Sequence, residues 1–293
     1  FVTGVQTCAL PIFLCAAGAV RMEIAEEIWR QQSQYIVGSE GTFCGIVAEE
    51  PLVDKGEDGY ARYLIDLRKI RYADGEEKSI SGTVYLYDFA VENKYPVGTA
   101  LEAEGKLRPL RLYKNPGKID LEKRYESGHL LGRIYSKENS RIRPVGETGE
   151  YRVTRWAETM RERLACFFAS YMDPVRLPVL MTLLFGGHYS EIPKDIIHSF
   201  SVTGIIHILS VSGSHIALLF GFLYFLGKWL GLSMKVTVVP AVLLVLVYAA
   251  MSGFVPPVIR ASLMGILAVI GVLLERGRTA LNLLGAAVAG MLL

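Results

Sequence analysis

Charge is nearly missing from the last third of this chain. From Ile205 to Leu226 there is no Asp, Glu, Lys or Arg, and from His207 to Leu293 only Lys228, Lys235, Arg260, Glu275, Arg276 and Arg278 are charged. Such runs exclude ordinary surface helices and point to segments that bury every side in protein or lipid. Cysteine is scarce: Cys8, Cys15, Cys44 and Cys166 form no CxxC and no Cys/His pair at metal-ligand spacing, which excludes a zinc ribbon or a disulfide scaffold. Cys44 and Cys166 are expected to be two unpaired buried thiols; a disulfide between them stays open if both lie outside the cytoplasm. No His-x-His-x-Asp run occurs, so no catalysis, no metal and no cofactor are expected. An initiator Met is also lacking. Residues 1–12 read as a sequencing-adapter artefact and are left out of the fold argument. The uncharged run 280–293 stops without a cap or flanking charge, so the natural protein is expected to continue.

What is present divides in two. The 293 residues carry a formal net charge of +2 and a mean hydropathy of +0.32, averages that conceal a water-exposed part before residue 200 and an apolar part after it. The expected fold class is mixed, a small OB-like β-barrel followed by an α-helical polytopic membrane domain. Residues 13–37 read as the end of a transmembrane helix and a connecting helix, the latter with Ile24, Ile28 and Trp29 on one face. Residues 38–150 read as the barrel with a basic extension, 151–200 as amphipathic or interfacial helices, and 201–293 as the transmembrane domain, truncated.

The barrel is read from alternation. Ala61, Tyr63, Ile65 and Leu67 alternate with Arg62, Asp66 and Arg68, and Leu101, Ala103 and Leu107 alternate with Glu102, Glu104 and Lys106. Asp58-Gly59 and Asp74-Gly75 mark turns. Four or five short strands within about 70 residues suit a five-stranded barrel. A further strand pair is expected around Gly146 and Gly149. Residues 40–114 hold eleven Lys/Arg against fourteen Asp/Glu, so the barrel is no general phosphate trap. The basic belt follows: residues 106–143 hold eleven Lys/Arg against four acids. Lys106, Arg108, Arg111, Lys114, Lys118 and Arg124 are the candidate DNA contacts, with Tyr85, Tyr87, Phe89, Tyr113 and Tyr125 as stacking platforms. The plainer reading makes the tyrosines core and the charges a solvated face.

Residues 152–172 read as an amphipathic helix, with Trp156, Met160, Leu164, Phe167 and Phe168 on one side and Glu158, Glu162 and several arginines mostly on the other. It is able to lie on a membrane surface or to pack on the barrel. The apolar run 177–187 is too short to span and reads as interfacial or re-entrant. Twenty-two residues from Ile205 to Leu226 are long enough to cross a bilayer as one helix. On that helix His207, Ser210 and Ser214 share a face, with His215 close by, as on a helix lining a path. Further spans are expected at 236–254, broken by Pro240, and 256–274, which contains Arg260 and Ser262; a fourth begins at 280. Lysines 228 and 235 and arginines 276 and 278 flank alternate turns and mark them as cytoplasmic, so the barrel falls outside the cytoplasm.

Three stretches together resemble the competence domain of the ComEC family: Leu184-Phe-Gly-Gly-His-Tyr-Ser-Glu-Ile-Pro193, then Phe200-Ser-Val-Thr-Gly-Ile-Ile-His-Ile-Leu-Ser-Val-Ser-Gly-Ser-His215, then Ser252-Gly-Phe-Val-Pro-Pro-Val-Ile-Arg-Ala-Ser-Leu-Met264. The Asn115-Pro-Gly117 turn is similar to that family's N-terminal region. Ser214 and Pro257 depart from the family pattern, which has a large residue and Ser there. The resemblance implies a multi-pass protein of the bacterial plasma membrane that takes up single-stranded DNA in natural transformation. Its expected partners are DNA, membrane lipid and other competence-machinery proteins. It implies path-lining roles for His207, Ser210, Ser212, Gly213, Ser214, His215, Arg260 and Ser262, set against close helix packing for the small residues. Family members often continue with more spans and a metallo-β-lactamase-like domain. Two other readings stand beside this one. A membrane-anchored binding module would recognise a wall polymer or a partner. An intramembrane metal enzyme or transporter would need His188 or His198 as well, because His207 and His215 lie about 12 Å apart along a helix.

Overall fold

The computed structural model describes residues 3–54, 59–89, 95–110, 125, 128–136, 142–187, 192–273 and 290. The chain forms two compact units: Met22–Glu158, and Thr159–Leu293 together with Phe1–Arg21.

The first unit is built on strands β1 (Glu40–Val47), β2 (Leu52–Asp54), β3 (Tyr60–Arg71), β4 (Glu77–Asp88), β5 (Thr99–Lys106), β6 (Leu130–Tyr135) and β7 (Ile142–Glu147). They form one sheet in the order β6-β4-β3-β1-β5-β7, with β2 also on β3. Every pairing is antiparallel except β4 with β6, which is parallel. The expected alternation is present: Ala61, Tyr63, Ile65 and Leu67 are buried while Arg62, Leu64 and Asp66 are not. Bulges at Cys44/Gly45 and at Leu67/Lys69 bend β1 and β3, as curling a sheet requires. The curl brings β6 back beside the segment after β5, where Arg108 and Arg133 exchange backbone hydrogen bonds of 2.8 and 3.0 Å. Gly132 allows this approach, since a Cβ there would stand 2.6 Å from the Arg108 carbonyl oxygen.

Side chains from both ends of the sheet fill the interior. Phe43, Tyr63, Leu67, Ile70, Leu101 and Ile134 are all under 3% exposed, each contributing about 1.5–3 kcal/mol by burial. One helix, α1 (Thr3–Ile36), joins the two segments expected separately at its end. Its Ile36 belongs to the core, and Trp29 Nε1 donates to the Leu130 carbonyl at 3.2 Å. The strand pair expected near Gly146 is a single strand, β7, because its partner is β5. Residues 111–124, with the Asn115-Pro-Gly117 turn, lie outside the described residues.

The helices that follow are α2 (Arg152–Ala169), α3 (Arg176–Phe185), α4 (Lys194–Val202), α5 (Gly213–Trp229), α6 (Met234–Met251) and α7 (Pro256–Leu273). Glu158, expected on the water-facing side of α2, is 4% exposed and accepts the Val97 N–H at 3.4 Å. Cys44 is half-buried and Cys166 exposed, both as free thiols, so the expectation of two buried thiols fails for Cys166.

The single helix expected from Ile205 to Leu226 is interrupted. Residues Ile206–Leu209 form one 3₁₀ turn, Ser210 and Ser212 are extended, and α5 starts only at Gly213. Serine favours such positions because its hydroxyl serves the backbone outside a helix. Pro240 does not break α6, which runs through it. Val211, Ile216, Val245, Ala249 and Val258 form the core between α5, α6 and α7. Close approach of these helices relies on Gly265, whose Cβ would meet the Phe220 ring at 2.4 Å.

Among the described residues no helix is long and apolar enough to cross a membrane. Helices α5, α6 and α7 have 17, 18 and 18 residues, about 26–27 Å of rise against about 30 Å of hydrocarbon. Apart from Gly290, the segment from 280 lies outside the described residues.

Candidate functional site

The barrel unit presents one face rich in aromatic and arginine side chains. Register puts them there: Arg62 pairs with Tyr87, Tyr85 with Arg133, and Tyr87 with Tyr135. Because alternate residues share a face, the residues opposite the buried Val84, Leu86 and Asp88 form an outward platform. Tyr87 stacks on Tyr135 at 5.0 Å between centroids, and Tyr60 lies 5.5 Å from Tyr87. Phe89, 44% exposed, lies 6.3 Å from both Tyr60 and Tyr135.

Cations border the rings. The Arg108 and Arg133 guanidiniums stand 5.5 and 5.6 Å from the Tyr135 centroid, and Arg62 stands 4.8 Å from that of Tyr85, within cation–π range. Beside Arg62, burial pushes the Glu49 carboxyl up, and the arginine charge opposes this. Burial also raises the Tyr85 hydroxyl, again against Arg62. The arrangement offers π faces and positive charge together, which suits unpaired bases and their phosphates.

Of the six basic residues singled out from the sequence, Lys106 and Arg108 are described and exposed, and Arg108 joins the platform. Arg111, Lys114, Lys118 and Arg124 lie outside the described residues, as does Tyr113. Tyr85, Tyr87 and Phe89 lie on the outward face. Tyr60, Arg62, Arg133 and Tyr135 were missed as site residues. Alternation around the buried Ala61 and Ile134 was the signal for them, but the parallel β4–β6 pairing that unites them is invisible in sequence.

In the second unit the residues of interest gather at the start of α5. His215 Nδ1 accepts the Ser212 N–H at 3.3 Å. The Ser212 and Ser214 hydroxyls share a hydrogen bond of 2.6 Å. The His215 ring lies parallel to that of Tyr248, 6.4 Å away, and the Tyr248 hydroxyl donates to the Leu184 carbonyl at 2.7 Å. Gly213 abuts Ala261 of α7, where an added Cβ would lie 3.3 Å from the Ala261 Cβ.

His207 and Ser210 do not share a helical face with Ser214 and His215, because they precede the break. His207 Nδ1 is 3.2 Å from the Gly204 carbonyl, and the Ser210 hydroxyl donates to the His207 carbonyl at 2.8 Å. Arg260 is exposed on α7. Ser262 is 5% exposed, and its hydroxyl, like that of Thr182, is buried without a hydrogen-bond partner. Among the described residues no group of three or more His, Cys, Asp or Glu could hold a metal ion; His188 lies outside them.

A family model described as competence protein matches residues 183–293. The chain is 23% identical over 167 residues to ComE operon protein 3 of Bacillus subtilis (strain 168). That match covers 57% of this chain and 21% of the relative, so the chain spans well under two thirds of that protein. The domain match coincides with the helices that carry the Ser212–His215 cluster, Arg260 and Ser262, and both comparisons make the chain similar to competence proteins.

Proposed function

We propose that this chain belongs to the plasma-membrane machinery that takes up DNA in natural transformation. Helices α5–α7 would sit in the bilayer, and the barrel would meet the incoming strand outside the cytoplasm. The observation that carries this reading is the coincidence of the competence-family match with three helices whose outward side chains are almost wholly apolar. Leu218, Phe225 and Trp229 of α5 and Val239 and Leu243 of α6 are 62–74% exposed. A surface of this kind is stable in contact with lipid. Helices a few ångströms short of the hydrocarbon thickness are accommodated by local thinning of the bilayer at modest cost.

Several further features support the same reading. The strand order, with its parallel β4–β6 pair and the Arg108–Arg133 bridge that brings β6 beside the segment after β5, supports the OB-like reading of the sheet. The aromatic–arginine platform gives that barrel a surface suited to single strands. Arg161 of α2 donates to the carbonyl of Met251, the last residue of α6, at 2.8 Å. That bond holds Arg161 of α2 beside the α6–α7 turn, which under the charge rule would lie on the side of the bilayer away from the basic turn at Lys228. His215, Ser214, Arg260 and Ser262 then offer polar groups to a strand in transit.

The test is uptake of labelled DNA by cells carrying His215→Ala or Arg260→Ala in the intact protein. Uptake is expected to fall at unchanged protein level. Normal uptake at normal level would remove both residues from the mechanism. The membrane-anchored binding module predicts barrel-dependent ligand binding with no effect of these two substitutions on transport.

A further inference from the structure

Helices α2 and α3 are joined by a short bend, and both are tied to the same end of α6. The Arg161 guanidinium of α2 reaches the Met251 carbonyl at 2.8 Å, and the Leu184 carbonyl of α3 accepts from the Tyr248 hydroxyl at 2.7 Å. Tyr248 and Met251 lie within one turn of the end of α6. Arg161 there satisfies a carbonyl that the helix itself cannot, and its charge favours the negative end of the helix dipole.

The bend carries an uncovered aromatic cluster. Met160, Leu164, Phe167 and Tyr171 follow helical spacing and share one face of α2 and its extension. Phe167 is 58% exposed and Tyr171 75%. Phe167 packs against Phe168 at 5.4 Å and against Tyr171 at 5.3 Å between centroids. Val175, at the start of α3, is 49% exposed. Aromatic side chains clustered in water cost free energy, and such clusters mark interaction surfaces. At the ends of bilayer helices they sit at headgroup level, ring in the acyl boundary and hydroxyl in the wet layer.

We infer that the α2–α3 bend is an interfacial anchor: Phe167, Phe168 and Tyr171 dock into the headgroup layer of the bilayer beside the α6–α7 turn. The occupant is lipid because the two hydrogen bonds hold this hairpin at the Met251 end of α6, and the end of a helix that crosses a bilayer lies at its surface. The inference rests on the reading of α5–α7 as bilayer helices, and its test separates the two.

Phe167→Cys, Tyr171→Cys, Glu162→Cys and Leu243→Cys are each introduced into the full chain with Cys8, Cys15, Cys44 and Cys166 replaced by Ser. Each protein is spin-labelled and reconstituted in phosphatidylcholine/phosphatidylglycerol vesicles. Collision with oxygen, enriched in lipid, is compared with collision with an aqueous nickel chelate. Labels at 167 and 171 are expected to read as shallow lipid, 162 as water and 243 as deep lipid. If 167 and 171 are as open to nickel as 162 while 243 is shielded, the anchor is overturned and the bilayer reading stands. If 243 is itself open to nickel, the bilayer reading falls and the anchor with it.

Discussion

Replacing Tyr135 by Leu isolates the contribution of the aromatic platform from that of its charges. Tyr135 stacks with Tyr87 at 5.0 Å and lies under both Arg108 and Arg133. Leucine keeps an apolar, strand-compatible side chain, and position 135 faces outward, so the core is not disturbed. Losing one stacked base costs about 1–3 kcal/mol, or about 5- to 150-fold in Kd. Stacking releases no counterions, so the dependence of Kd on salt should stay as in the parent chain. Arg133→Gln should do the reverse at the same spot. It removes about one phosphate contact and flattens the slope of log K against log salt by about 0.7 for a single strand. The assay is fluorescence anisotropy of a labelled oligothymidylate with the full chain in detergent, from low to moderate salt. The reasoning fails if Tyr135→Leu binds like the parent, or if it changes the salt slope while Arg133→Gln does not. Equal affinity of the parent for duplex and single strand would also remove base stacking from the account.

Other expectations follow from the same structure. Leu67→Ala, at a position 1% exposed in the barrel core, should cost about 2–5 kcal/mol and lower the midpoint of thermal unfolding followed by circular dichroism. Glu49, whose carboxyl is raised by burial, contributes stability below its ordinary range that is lost as pH rises through the raised value. Glu49→Gln should therefore stabilise the chain at pH 8 relative to the parent and leave it unchanged near pH 4; denaturant midpoints at the two pH values check the sign. His215→Gln should keep the start of α5, since Gln at the third helical position also reaches back to the N-cap N–H. His215→Leu should lose about 0.5–2 kcal/mol, read as a lower unfolding midpoint in detergent. Ser262→Ala removes a buried hydroxyl without a partner and should stabilise or leave stability unchanged. A fall in DNA uptake with that stable variant would assign Ser262 to transport, and unchanged uptake would assign it to packing.

Much of the barrel was legible because its information is local. Alternation in 61–67 and in 101–107 places Tyr63, Leu67 and Leu101 inside, and Asp74-Gly75 turns β3 into β4 through a glycine at φ 87°. What was not legible depends on long-range pairing. No local pattern says that β4 lies parallel to β6, so Tyr135 and Arg133 carried no signal that they would join Tyr87. Likewise Ile142–Glu147 has the length and turn residues of half a hairpin, yet it pairs back to β5. Glu158 looked solvated because helical spacing puts it with other charges, whereas the Val97 N–H supplies the partner that permits its burial.

The break before α5 changes what the polar residues there can do. On an uninterrupted apolar helix, His207, Ser210, Ser214 and His215 would present hydrogen-bonding capacity that only a wet path could satisfy. With the chain extended at Ser210 and Ser212, much of that capacity is met locally. Ser210 serves the His207 carbonyl, Ser214 shares a bond with Ser212, and His215 Nδ1 holds the Ser212 N–H. The first two thus shape a turn, and the last two fix where a helix begins, beside Ala261 and Tyr248. Among the described residues the hydroxyls that remain buried and unmatched are Thr182 on α3 and Ser262 on α7. An unmet buried hydroxyl costs about 1–3 kcal/mol, which packing alone would avoid with Val and Ala. If the chain carries DNA as proposed, the hydroxyls of Thr182 and Ser262 and the exposed Arg260 would add to what His215 and Ser214 offer, because their hydrogen-bonding capacity is not spent on the start of α5.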